Sequence, residues 1–331
     1  MEASEISIED IEMRLKILER MYLDKQKDRI ATQLRIKSYV RAGRLSEMEA
    51  KRMYSFSDAT LRREEEKIAK EIEEAVEQHP LWKEWFRHVK GMGKLLAGQL
   101  MGEINIDNTP HPSALWHYAG YHTMRRCTLC GFETYEDIPD RKCPYCGGLI
   151  IGTSVEARHG QRLNVNLTLK AITHKIAMQF LRYKGCFYEQ IYRKARRREE
   201  ERNLAFRMNI DFACGYVLAE DVGRFKRGVI IKKKGANKNF DKIKKELRKE
   251  GRNWVMVRRT DGHLHMRALR IVKKLFLSHT WEMWRKVRGL PVVEPYPIKF
   301  IDHDMYISPE EVIEHDSKIK VKVGRGGKKN G

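Results

Sequence analysis

Two Cys-x-x-Cys pairs constrain the fold of this chain more than any other feature of its sequence. Cys127 and Cys130 form the first pair, and Cys143 and Cys146 form the second after twelve intervening residues. Four thiolates at this spacing complete a tetrahedron around Zn²⁺, and cysteine at all four positions leaves no ligand position for a catalytic water. The sequence therefore predicts one structural zinc ribbon over residues 124–150, which folds only with its metal.

The charge balance of the chain indicates a polyanionic partner. Of the 331 residues, 66 are Lys or Arg and 45 are Asp or Glu, which gives a formal net charge of +21. A surplus of this size favours nucleic acid over an anionic membrane, and a surface of balanced ion pairs would not produce it. Since no apolar run is long enough to span a bilayer and the first residues are acidic, we expect a cytoplasmic, nucleoid-associated protein without membrane contact.

A glycine-containing turn between two helical segments is the first candidate for a nucleic-acid contact. Gly91 and Gly93 stand immediately before an apolar helical segment, with Lys90 and Lys94 on either side. Glycines at such a turn expose the N–H groups of the following helix, whose dipole favours an anion. This pattern is typical of a helix-hairpin-helix, which holds phosphate without reading bases. The alternative is an ordinary turn between two helices.

Residues 1–80 are predicted to be helical, with a break near 41–46. Ser46 and Glu49 have the spacing of a capping box, and a second long helix is expected from about Ala59 to Gln78. The product is a helical hairpin or coiled coil, through which the chain would form a homodimer or which would serve as a spacer. A helical layer packed on its own domain is the alternative.

Basic side chains form further clusters along the chain. A helical run over residues 164–203 ends in a basic cluster, and a small α+β segment over residues 210–260 carries the densest positive charge. Basic residues also surround the predicted ribbon. These side chains would neutralise phosphates, or would form solvated helix ends and surfaces. The predicted contacts are Arg193, Lys194, Arg196 and Arg197 in the helical run, Lys232, Lys233 and Lys234 in the α+β segment, and Arg125, Arg126, Arg141 and Lys142 around the ribbon.

The order of several short blocks resembles the C-terminal domain of the DEDD-type, RNA-guided insertion-sequence transposases (the IS-one-hundred-ten group). The resemblance covers roughly residues 80–290, interrupted by the ribbon and the 210–260 segment, and Arg162 in its third block joins the predicted nucleic-acid contacts. The blocks are Val89–Gly93 with Leu96, Ala97 and Leu100, then Pro112–Leu115 with Tyr118–Tyr121, then Gly160–Asn164, then Tyr188, and finally His265–Leu275 with Trp281 and Trp284.

The chain departs from this family where the family's chemistry resides. The family's enzymes carry an N-terminal RuvC-like nuclease domain with four acidic metal ligands, and the first 80 residues here are helix-rich and too few to build it. The resemblance also implies a nucleophilic serine in the loop that the ribbon occupies. The nearest candidates are Thr153 and Ser154, and activation of Ser154 would need Arg158 or His159. We expect Ser154 to be a plain loop serine, with catalysis by Ser154 as the less favoured alternative.

Taken together, the sequence predicts a non-enzymatic, zinc-containing DNA-binding protein related to a transposase. The alternatives are a strand-processing enzyme (nicking, strand transfer or topoisomerase-like) with a Ser, Thr or Tyr nucleophile such as Tyr121, and a binder of structured RNA. The fold is predicted to be mainly α, and Lys318–Gly331 is expected to be a mobile tail. The predicted parts are the helical hairpin (1–80), a helix-hairpin-helix domain (81–123, 151–209 and 261–300), the inserted four-cysteine zinc ribbon (124–150), a basic α+β insertion (210–260) and a C-terminal extension (301–331).

Overall fold

The computed structural model describes residues 6–134, 138–154, 165–208, 216–218, 254–256, 261–293, 307–319 and 322–323. Helices dominate this part, so the predicted mainly α fold is confirmed. The α-helices are α1 (Ile8–Arg41), α2 (Glu47–Ser57), α3 (Arg63–Gln78), α4 (Pro80–Glu84), α5 (Lys94–Glu103), α6 (Pro112–Tyr118), α7 (Leu167–Arg182), α8 (Phe187–Met208), α9 (Asp261–Val287) and α10 (Pro309–Lys318). The strands are β1 (Thr123–Cys127), β2 (Glu133–Thr134), β3 (Ile150–Ser154), β4 (Tyr183–Lys184), β5 (Tyr216–Leu218), β6 (Trp254–Met256) and β7 (Lys322–Val323).

Helices α1, α2 and α3 follow the predicted pattern closely. The Ser46 hydroxyl accepts a hydrogen bond from the Glu49 N–H at 3.2 Å, which starts α2 after the predicted break. A π-helical turn, Asp58–Arg62, then joins α2 to α3 without a loop. The predicted second helix therefore exists, but it continues directly from α2.

Two glycines of α5 allow this helix to lie very close to α1 and α3. A Cβ at Gly98 would stand 2.2 Å from Cγ2 of Ile72, and a Cβ at Gly102 would stand 2.9 Å from Cβ of Glu19. Leu15 and Val76 are fully buried in the same contact. Because no side chain larger than hydrogen fits at either glycine, the three helices form one tightly packed layer.

The region after the ribbon differs from the single helical run that the sequence predicts. Helix α7 ends at Arg182, and α8 begins at Phe187 after a turn that contains Gly185 with φ +90°. The intervening strand β4 pairs antiparallel with β7. The expectation of a mobile tail from Lys318 is therefore wrong for β7, because a ladder of backbone hydrogen bonds fixes Lys322 and Val323.

The chain divides into two compact units, Met1–Phe187 with Lys273–Gly331, and Tyr188–Val272. In the first unit, large aromatic side chains form the core, and their polar atoms are hydrogen-bonded. Trp284 Nε1 donates to Glu12 Oε1 at 2.7 Å, and Trp281 Nε1 donates to the Thr109 carbonyl at 2.6 Å. The other fully buried aromatic residues of this core include Trp85, Phe86, Phe180 and Phe276.

The second unit is built around the parts of α8 and α9 that it contains. Arg267 donates two hydrogen bonds to the Glu199 carboxylate, at 2.5 and 3.2 Å, and Tyr192 Oη lies 2.7 Å from His265 Nδ1. Strands β5 and β6 form an antiparallel pair at positions where the sequence predicts strands. The predicted strand at 228–231 and the predicted helix at 240–249 lie outside the described residues.

Candidate metal centre and nucleic-acid contacts

A three-stranded antiparallel sheet carries the four cysteines. Strand β1 lies between β2 and β3, with Arg126 opposite Glu133 on one side and Ile151 on the other. Cys127 is the last residue of β1, so the chain turns away from the sheet directly at the first Cys-x-x-Cys pair. The sheet thereby brings the two pairs, which are distant in sequence, to the same end.

The four thiols converge as the sequence predicts. All four Sγ atoms lie within 4.8 Å of one another, with Cys127 and Cys146 at 3.4 Å and Cys130 and Cys143 at 3.6 Å. A tetrahedral site with metal–sulfur bonds of about 2.3 Å requires sulfur–sulfur distances of about 3.8 Å. The arrangement can therefore hold one metal ion with four sulfur ligands.

The backbone around the thiols also fits a metal centre. The Leu129 N–H donates to Cys127 Sγ at 3.4 Å, and backbone hydrogen bonds from Cys130 and Leu129 lower the pKa of the Cys127 thiol. A Cβ at Gly148 would stand only 2.9 Å from Cys127 Sγ. Gly148 therefore keeps the space beside the thiol free, and the N–H donors stabilise the thiolate that a metal requires.

The residues of the predicted hairpin form a turn between the 3₁₀ turn Phe86–His88 and α5. Gly91 has φ +94°, and a Cβ there would stand 3.1 Å from the Tyr183 ring, so this position requires glycine. Gly93 is the N-cap of α5 without a side-chain cap, and the N–H groups of Lys94, Leu95 and Leu96 donate to no acceptor within the described residues. The first turn of α5 can therefore accept an anion.

One positive side chain and one backbone N–H of the hairpin already have acidic partners. The Lys94 ammonium forms an ion pair with Glu77 of α3, which raises the pKa of Lys94. The Lys90 N–H donates to Asp316 Oδ2 at 3.0 Å, and the Lys90 side chain is exposed. The contact of Lys94 with phosphate stays a prediction, and α3 places the Glu77 carboxylate beside its ammonium as a competing partner.

The arginines of the ribbon occupy different settings. Arg126 lies 3.6 Å from Glu133 across the sheet, and Arg125 is half-buried on the central strand. Arg141 and Lys142 are exposed, and Arg141 has φ +53°. The ribbon therefore presents positive side chains to solvent, but acidic neighbours offset part of their charge.

The basic cluster of α8 separates into paired and unpaired members. Arg193 pairs with Glu189, and Arg196 pairs with Glu200 at 2.6 Å. Lys194 and Arg197 are exposed and have no acidic partner among the residues that the structure describes. Of the predicted cluster, Lys194 and Arg197 are thus the side chains most available to a phosphate.

The candidates for catalysis receive little support from their positions. Tyr121 is 3% exposed, and its hydroxyl donates to the Lys170 carbonyl at 3.1 Å, so it is part of the core. Ser154 ends β3 opposite Thr123. The remaining predicted positions lie outside the described residues, namely Arg158, His159, Arg162, Lys232, Lys233 and Lys234.

Sequence reasoning missed α10 and its contact with the hairpin. Ser308 and Glu311 form a complete capping box, with the Ser308 hydroxyl accepting from the Glu311 N–H at 3.2 Å. This Ser-x-x-Glu signal is visible in the sequence and could have identified the helix. Asp316 of α10 is fully buried. Its role at the hairpin has no local sequence signal, because its partners are distant in the chain.

Comparison with protein-family models, curated proteins and solved structures finds no significant match to this chain. Within the described ranges, no helix combines the length and the hydropathy that crossing a bilayer requires.

Proposed function

We propose that this chain is a zinc-containing DNA-binding protein without catalytic activity, which holds the phosphate backbone of duplex DNA. We also propose that its helical part is related to the C-terminal domain of the DEDD-type insertion-sequence transposases. Zinc is the metal of choice because four cysteine thiolates form a soft, closed, tetrahedral donor set. Such a site stabilises the ribbon and leaves no position for substrate.

The net charge of +21 is the observation that carries the proposal. Lys and Arg release counterions from DNA when they neutralise its phosphates, so a surplus of exposed positive charge favours duplex binding regardless of sequence. Within the second unit, Lys194 and Arg197 of α8 supply such charge without a described acidic partner. Within the first unit, the exposed Lys90 side chain stands near the N-terminus of α5.

A titration of the full chain with duplex DNA at increasing salt tests the proposal. We expect tight binding at low salt that weakens with a log–log slope of about 0.9 per contacted phosphate. Replacing Lys194 and Arg197 together by Gln should lower this slope by about two. Replacing the paired Arg193 and Arg196 by Gln is the matched control, and we expect a smaller change in slope. No binding at low salt, or binding insensitive to salt, would overturn the proposal.

Two further measurements test the alternative functions, which are DNA strand processing and binding of structured RNA. Relaxation of a supercoiled plasmid, or a covalent protein–DNA adduct that is lost in Ser154→Ala, would show a strand-processing enzyme in place of a binding protein. Displacement of the duplex by structured RNA at lower concentration than by matched DNA would show that RNA is the partner.

A further inference from the structure

The outer face of α2 is an exposed surface that mixes apolar and basic side chains. It forms an open groove of about 510 Å³ lined by Met48, Lys51, Arg52, Ser55, Phe56 and Ala59. Met48 is 82% exposed and Phe56 is 64% exposed. Contiguous exposed apolar surface is a feature of binding sites on soluble proteins. We call these six residues the α2 groove.

The inner face of the same helix explains why the groove is free. Ala50 and Ser57 are buried, and Tyr54 is half-buried against α1, where its hydroxyl donates to the Gln33 carbonyl at 3.5 Å. These residues face the opposite side of α2 from the groove, as the helical period requires. The groove residues are thus not needed for packing α2 on its own unit.

The sequence around α2 is basic up to residue 63, after which Glu64, Glu65 and Glu66 follow and Glu66 pairs with Arg62 at 3.1 Å. Residues 35–63 contain eight Lys or Arg side chains and three acidic ones. The Arg52 guanidinium lies 3.9 Å from Glu49, which is a loose contact, and the Arg52 side chain is 82% exposed. The basic side chains are Arg35, Lys37, Arg41, Arg44, Lys51, Arg52, Arg62 and Arg63. The positive charge favours an anionic occupant.

The placement of Arg52 decides which anionic occupant fits. At helical spacing, Met48, Arg52 and Ala59 lie along one line, so the charge stands inside the apolar stripe. An apolar protein surface would have to bury that guanidinium without an anionic partner, which is costly. A nucleotide presents an apolar base face and an anionic phosphate side by side, and it matches this mixture.

We propose that the α2 groove binds single-stranded DNA, with an unpaired base stacked on Phe56 and the adjoining phosphate contacted by Arg52 and Lys51. This inference rests on the proposed DNA-binding function and adds a contact to unpaired bases. Base stacking on an aromatic side chain contributes about 1–3 kcal/mol per base, or about 5- to 150-fold in affinity. The contact is tolerant of sequence, because every base has a stacking face.

The experiment compares binding of oligo-dT and of a blunt duplex to the full chain and its variants. Phe56→Ala should weaken oligo-dT binding about 5-fold or more and leave duplex binding unchanged. Phe56→Trp should retain oligo-dT binding, whereas Phe56→Leu should not, because only an aromatic ring stacks. Arg52→Gln should lower the salt slope for oligo-dT by about 0.7. Ile17→Ala removes another exposed apolar side chain, from α1, and is the matched control.

The other outcomes of this binding experiment contradict either the groove proposal or the proposed function. Unchanged oligo-dT binding by Phe56→Ala, with duplex binding intact, overturns the groove proposal alone. If the wild-type chain binds oligo-dT but not the duplex, the proposed duplex-binding function is wrong and the groove proposal stands. Three further outcomes would assign the groove to a different occupant. Tighter binding of oligo-rU than of oligo-dT would indicate RNA. Adsorption to anionic vesicles that Phe56→Ala abolishes would indicate a membrane, and a dimer that Phe56→Ala dissociates would indicate a second copy of the chain.

Discussion

Asp316 accepts a hydrogen bond from the backbone N–H of Lys90, at 3.0 Å, within the hairpin that the sequence marks as an anion site. The other carboxylate oxygen accepts from the N–H of Phe187 at 2.8 Å, and His315 Nδ1 lies 3.0 Å away. The carboxylate thus holds the hairpin and the start of α8 together. An internal anion therefore occupies a backbone donor next to the predicted phosphate site.

Replacing Asp316 by Asn should change both stability and binding. Loss of charge-assisted hydrogen bonds to two N–H groups is expected to lower the free energy of unfolding by about 1–3 kcal/mol. Removal of a negative charge beside the hairpin should raise the affinity for DNA at low salt. Denaturant unfolding and a binding titration measure the two effects. Glu74→Gln, which changes the net charge equally at an exposed site of α3, is the control, and equal gains in affinity would contradict this account.

Position 93 offers a direct test of the α5 N-terminus. A Cβ at Gly93 meets no atom within 4 Å, so side chains fit there without strain. Gly93→Asp should stabilise α5 by up to about 1 kcal/mol as an N-cap, and it should weaken DNA binding because its carboxylate competes with phosphate. Gly93→Ser provides a neutral cap and should leave binding nearly unchanged. Equal affinity of the two variants would show that the first turn of α5 does not contact DNA.

The metal centre leads to a prediction about the stability of the ribbon. We expect one zinc ion per chain, released by a strong chelator, with the helical circular dichroism retained. Cys127→Ser should abolish metal retention, and Gly148→Ala should weaken it because the added Cβ stands 2.9 Å from Cys127 Sγ. Gly262→Ala, at a position without atoms within 4 Å, is the control. Elemental analysis without zinc, or full retention by Cys127→Ser, would refute the assignment.

Glu19 of α1 should make the stability of the fold depend on pH. Burial raises the pKa of Glu19 to about 8, and the adjoining Glu103 carboxyl adds to the rise. Between pH 4.5 and about 8 the folded chain keeps a proton that the unfolded chain releases, so the free energy of unfolding falls as pH rises through this window. Across the whole window the loss should be on the order of 5 kcal/mol.

Denaturant unfolding across this pH range, compared with Glu19→Gln, measures the effect. The variant cannot ionise at this position, so it should lose less stability between pH 5 and pH 8 and should be more stable than wild type near pH 8. Glu74→Gln, at an exposed position of α3, is the matched control. Parallel profiles for wild type and Glu19→Gln would exclude a proton on this carboxyl.

Local signals in the sequence located most helices and the metal ligands. The Ser46 cap, the helix of residues 112–118 with Gly120 in the left-handed region, and the buried stripe of α7 depend on neighbours a few residues apart. Helix caps and apolar periodicity depend on residues at that range, so both can be recognised in the sequence. The break between α7 and α8 was missed, although Gly185 marks it, because the apolar pattern continues on both sides.

The two Cys-x-x-Cys pairs, the mainly helical fold and the positive net charge were determined by the sequence alone, since each follows from residue types and their spacing. Only the tertiary structure decided which basic side chains and backbone donors remain available to a phosphate. Lys94 is paired with Glu77, and the Lys90 N–H is bound to Asp316, 226 residues further along the chain. Such partners are chosen by the packing of helices against one another, and a contact made by packing leaves no pattern in the local sequence.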